Sequence, residues 1–239
     1  MIGQRLGQMS LLFFVTTLFC ALEAWAYRVQ PMSYDLATSG PETQQTLRVE
    51  NTRDFPLTLE ILAYSIEFDE TGAETYESAE DDFLIFPPQM IIEPGASQAI
   101  RVQYVGDPAL DVSKSYRIRV EQIPVSVTGG GSGAIGMAVS FSTLANVVPN
   151  NEAPAMTVVD VAASQTEGMW SVTIENQGDR YARLSRTNWS IAGTSIDGEE
   201  TKSWYDGNIV PPKSRRTIEI PAQAAEVLSA SDFSLDVTE

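Results

Sequence analysis

Three features of the sequence predict an all-β chain of two tandem immunoglobulin-like β-sandwich domains. Apolar residues recur at every second position in many short runs, turn residues separate those runs, and no stretch of useful length carries a helical period. The polar, proline-rich segment Pro149-Asn-Asn-Glu-Ala-Pro154 falls where the first group of strands ends. It marks a hinge between residues 27–149 and 150–239, each of a size that builds its own core.

Taken in order, Arg28 to Leu36 is a short strand whose Pro31 confines it to a sheet edge or a bend. Leu47 and Val49 alternate with Arg48, and Asn51-Thr-Arg-Asp54 turns the chain into Leu57, Leu59, Ile61 and Ala63, giving two half-buried strands. Residues 67–82 carry many carboxylates and read as a solvated loop. Counted as a calcium loop from Asp69, the position that needs glycine holds Glu74 instead. Phe83-Leu-Ile-Phe86 is stopped by two prolines, and Glu93-Pro-Gly95 leads into Ile100, Val102 and Tyr104 on one face. Tyr116, Ile118 and Val120 alternate with Arg117, Arg119 and Glu121. The second domain repeats the all-β pattern, with strands expected at 156–161, 170–174, 181–191, 204–210, 216–220 and 233–237.

Residues 1–26 read as a secretory signal: Arg5, an apolar core from Leu11 to Ala21, and Ala24-Trp25-Ala26 as the cleavage site. The expected mature chain starts near Tyr27 and is a soluble exported protein, with no run long enough for insertion into a membrane. Its only cysteine, Cys20, lies in the signal, so packing and not disulfides must hold the fold. A net charge of −17 repels phosphate backbones and anionic lipid, which excludes nucleic acid as a partner. With no histidine, Ser-His and Cys-His catalytic pairs and the commonest zinc ligands are lacking. Gly131-x-Gly133-x-x-Gly136 matches a dinucleotide fingerprint only formally, because a strand and not a helix follows it. No enzyme activity, cofactor or metal is expected.

The most informative stretch runs from Ala134 to Pro149, after Gly129-Gly-Gly-Ser-Gly133. Ile135, Met137, Val139 and Phe141 alternate with small residues, which makes a strand with a strong and a weak face. Its glycine-rich leader contributes no core residues, so the leading half is expected at a sheet edge, free to be lent to a partner. The plainer alternative is an ordinary hairpin whose large face packs on the chain's own core.

The order of Leu47-Arg-Val-Glu-Asn51, Phe86-Pro-Pro88, Ile100-Arg-Val102 and Val120-Glu-Gln-Ile-Pro124, closed by the long strand ending at Pro149, resembles the periplasmic pilus chaperones of the chaperone-usher pathway, the PapD-like family. The resemblance implies donor-strand complementation of pilin or fimbrial subunits, followed by delivery to an outer-membrane usher. Carried over by position, Ile135, Met137, Val139 and Phe141 are the groups that fill the subunit groove. Four such side chains give a gross stabilisation of about 6–12 kcal/mol before ordering costs. The family grips the subunit's terminal carboxylate with two basic residues, but their places are held here by Ser33 and Leu144. Arg28 is the nearest cation on the first strand, and its plainer reading is a solvated residue beside the new amino terminus. Ser113 stands where an acidic residue is usual, which puts a charged network between the domains in question. Self-association through the edge strand is a side expectation. The competing function is a secreted structural or adhesive module of two sandwiches, which predicts the face of residues 135–141 buried in its own core.

Overall fold

The computed structural model describes residues 27–123, 138–149, 152–205, 207–222 and 229–238. Residues 1–26, where a signal is expected, and the glycine run lie outside that set. Ten strands make up the first domain among the described residues: β1 (Arg28–Gln30), β2 (Ser33–Ala37), β3 (Gln44–Glu50), β4 (Leu57–Phe68), β5 (Glu74–Ser78), β6 (Phe83–Phe86), β7 (Gln89–Ile92), β8 (Ser97–Tyr104), β9 (Lys114–Gln122) and β10 (Ser140–Val148). One sheet runs β1-β3-β8-β6 and the other β2-β10-β9-β4-β5, with β7 also on β4. Pro31 is the bend between them, so β1 and β2 belong to opposite sheets.

The period-2 pattern sorts as expected. Leu47, Val49, Leu57, Leu59, Ile100, Val102, Tyr116, Ile118 and Val120 are buried between the two sheets. Their alternates Arg101, Arg117 and Arg119 face outward. Arg119 lies between the rings of Tyr64 and Tyr76, its guanidinium carbon 4.5 Å from each ring centre.

Eight strands form the second domain among the described residues: β11 (Met156–Ala163), β12 (Met169–Asn176), β13 (Ala182–Arg183), β14 (Thr187–Ile191), β15 (Thr194–Ser195), β16 (Ile209–Val210), β17 (Ser214–Pro221) and β18 (Phe233–Val237). They pair as β11-β12-β17, β13-β16 and β15-β14-β18. Val172, Ile174, Leu184, Trp189 and Ile220 fill a separate core, where Trp189 and Trp204 meet edge to face at 5.6 Å.

Three sequence expectations are corrected. Residues 67–82 are not a loop, because β4 continues to Phe68 and turns back as β5. The Glu74 carboxylate, facing the Arg117 guanidinium, ties β5 to the sheet's interior strands. Trp204 does not start a strand. Asp197 caps a single helical turn, α1 (Gly198–Thr201), by accepting from the Glu199 N–H at 2.8 Å, and Trp204 ends the 3-10 turn that follows. The expected strand over 181–191 is broken by a second 3-10 turn at Leu184–Arg186.

Both domains use one device that the sequence spells twice, as Val49-Glu-Asn51-x-x-Asp54 and Ile174-Glu-Asn176-x-x-Asp179. Asn51 is fully buried; its amide donates to the Phe55 and Ile92 carbonyls, and its oxygen accepts from the Arg53 N–H. Asn176, equally buried, donates to the carbonyls of Arg180, Val210 and Pro211 and accepts from Ala155 and Gly178. Each side chain bonds buried backbone groups at the point where its strand ends. Asn51→Ala is expected to destabilise the first domain by about 2–4 kcal/mol, because it strands the buried Ile92 carbonyl and the Arg53 N–H and frees the part-buried Phe55 carbonyl. Urea unfolding measures it.

Candidate functional site

β10 is antiparallel to β9 from Ser140 opposite Glu121 to Val147 opposite Lys114. On its other side it runs parallel to β2, but only from Leu144 opposite Ser33 to Val148 opposite Ala37. The Leu144 N–H closes that ladder on the Met32 carbonyl at 2.9 Å. Among the described residues, Ser140 to Thr143 are therefore laddered on one side only.

Of the four expected groove-filling residues, Ile135 and Met137 lie outside the described residues. Val139 and Phe141 do not project freely outward as expected; both are half-buried and lean on the first domain's own core. The reason is parity: Phe141 shares a face with Thr143, Ala145 and Val147, and it stands opposite the buried Val120. Its ring meets Tyr27 edge to face at 4.7 Å. The Tyr27 hydroxyl donates to the Val120 carbonyl at 2.5 Å and lies 3.0 Å from that of Val139, straddling β9 and the root of β10. Burial pushes its pKa up to about 12, so it remains a donor at any physiological pH.

At the foot of this strand the two domains meet. Ser33 and Leu144, the positions expected to replace the family's basic pair, are register partners. A cation does reach that place, from the other domain. Arg183 Nη2 donates to Ser33 Oγ at 2.8 Å and stands 3.7 Å from an Asp35 oxygen. Asp35 is the centre of the cluster: it takes the Tyr181 hydroxyl at 2.6 Å, Arg180 at 2.9 Å and the Asn146 amide at 3.2 Å. Burial first, and then the neighbouring Asp35 carboxylate, raise the Tyr181 phenol above its ordinary value and keep it protonated. Ser113 joins the domains without charge, accepting from the Tyr181 N–H at 2.7 Å while its own N–H donates to the Asp179 carbonyl. The charged network whose absence Ser113 suggested is thus present, built on Asp35 instead.

Arg28 is exposed on β1, in the sheet opposite to Ser33 and Leu144, and makes no ion pair among the described residues. It is not part of this cluster. Sequence reading missed Arg180, Tyr181, Arg183 and Asp35. The signal was there as Arg180-Tyr-Ala-Arg-Leu-Ser-Arg186, three cations within two turns of sequence in a chain of net charge −17. Arg180, Arg183 and Arg186 line one small recess with Tyr181. Its lining has no nucleophile–base pair, and no cluster of metal-ligating residues occurs among the described residues.

Residues 29–146 match the family described as pili and flagellar-assembly chaperone, PapD N-terminal domain. Among solved structures, the chain resembles the class 5 fimbriae chaperone CfaA, at 14% identity over 90% of this chain and 99% of that one, with a TM-score of 0.56. It also resembles a chain in the Salmonella enterica SafA pilin complex with the SafB chaperone (16%, 84% and 86%, TM-score 0.55). A third likeness is to the CsuC-CsuE chaperone-tip adhesion subunit complex of Acinetobacter baumannii (12%, 80% and 89%, TM-score 0.53). At these identities the likeness is one of fold. No curated protein matches by sequence.

Tyr27→Phe is expected to cost about 1 kcal/mol and to speed amide exchange over residues 138–143, leaving 144–148 as protected as before. Hydrogen-exchange mass spectrometry separates the two segments.

Proposed function

Because this chain belongs to the PapD-like family of pilus chaperones, whose members are not enzymes, we propose that it captures fimbrial subunits in the periplasm by lending them the leading half of β10. In this reading, residues 1–26 are the export signal, 27–149 the strand-lending domain and 150–239 the second sandwich, and the loaded chaperone passes its subunit to an outer-membrane usher. The observation that carries it is the one-sided pairing of Ser140–Thr143, in the strand that follows the glycine-rich leader. Phe141 and Val139 root the strand in the chaperone, while Ile135 and Met137, ahead of them, fill the subunit groove. An extended partner gains a continuous ladder along the open edge, with side-chain burial adding about 1.5–3 kcal/mol for each large apolar group.

The carboxyl terminus of the subunit then meets Arg183 and not a basic residue on β2 or β10. Ser33 and Leu144 leave space at the usual anchor, and the guanidinium enters that space from the second domain. A charge-assisted bond of this kind contributes about 1.5–3 kcal/mol.

Co-expression with a fimbrial subunit is expected to yield a 1:1 complex, and Ile135→Asp combined with Met137→Asp to abolish it. Persistence of the complex in that double variant would sink the strand-lending reading. Arg183→Ala is expected to weaken capture about 10–100-fold, with Arg183→Lys recovering part of the loss, as read by competition between subunit-binding variants. The second reading, a structural or adhesive module, is favoured by the contact of Val139 and Phe141 with the chain's own core. It predicts that no subunit co-purifies.

A further inference from the structure

The turn between β4 and β5 is built more rigidly than a solvent-exposed hairpin needs. Asp69 Oδ1 accepts from the Thr71 N–H, the Thr71 hydroxyl and the Ala73 N–H, all between 2.7 and 2.9 Å. Two further backbone bonds, Asp69 to Ala73 and Gly72 to Asp69, close the loop. Gly72 sits at φ +84°, a conformation that side chains rarely adopt.

This tip leaves the first domain and touches the second. The Thr217 N–H on β17 donates to the Glu70 carbonyl at 2.7 Å. β17 is the end strand of β11-β12-β17, so the tip covers an otherwise open edge. Beneath it lies Arg216, only 2% exposed. A Cβ placed on Gly72 would run into the Arg216 guanidinium, so the glycine backbone lies against it. Gly207 borders the same guanidinium, where a Cβ would lie 3.5 Å from Nη2. The approach needs no side chain at Gly72, and burial leaves Arg216 little room to swing away.

The domains therefore touch at two separate places, the Asp35 cluster and this tip. One contact alone acts as a pivot, whereas two set an angle. We propose that the β4–β5 tip is an inter-domain strap in which Glu70, Gly72 and Arg216 act as positioning residues, fixing the opening between the domains and with it the seat of Arg183 against Ser33. Its consequence for subunit capture rests on the chaperone reading; the strap itself does not.

The chain beyond the signal has no cysteine, so Glu93→Cys with Thr194→Cys places one spin label on an exposed site of each domain. Pulsed dipolar spectroscopy of the full exported chain is expected to give a single narrow distance. Gly72→Val should replace that peak with a broad distribution, and Arg216→Ala, which adds no bulk, should do the same if the valine variant fails to fold. The Thr217 amide should exchange faster in both. A distribution as narrow as the parent's in Arg216→Ala, with circular dichroism showing an intact fold, overturns the strap. Failure of the parent chain to capture any subunit would count against the chaperone reading and leave the distance result standing.

Discussion

The structure depends on how far β2 accompanies β10. From Leu144 onward β10 is laddered on both sides; before it, β9 alone ladders it among the described residues. That change of one neighbour converts a core strand into an edge within a single element. Pro31 is the local cause. By bending the first strand, it sends β1 to one sheet and β2 to the other, and β2 reaches β10 only at Ser33.

The half-buried state of Val139 and Phe141 gives that edge a root. Four outward groups would make a long sticky strand, prone to pair with any other edge. Tyr27 limits this at residues 139–141: its ring meets that of Phe141 and its hydroxyl engages the Val120 carbonyl, close to that of Val139. Side chains shared between a domain's own core and an open edge keep the strand in register without committing all of it.

The cleft cluster works by placement more than by strength. Asp35, Arg180 and Arg183 are all partly exposed, and ion pairs of that kind contribute about 0–1 kcal/mol each. Hydrogen bonds from Tyr181, Asn146 and Ser113 narrow the allowed geometry around them. An acidic protein thereby keeps a small region of positive charge where its domains meet, set against a surface that repels other anions.

The sequence by itself determined the class of fold and the alternating core positions of strands such as Leu47–Val49 and Tyr116–Val120, because period and turn chemistry are local properties. It also held the twin Asn51 and Asn176 motifs, legible once the two domains were set side by side. Only the tertiary structure decided that Phe141 turns inward, that residues 67–82 form a hairpin reaching the second domain, and that Arg183, about 150 positions from Ser33, reaches the place where Ser33 stands instead of a basic residue. Which cation fills a cleft depends on distances between domains, and spacing along a chain carries no information about those until the sheets have been assembled.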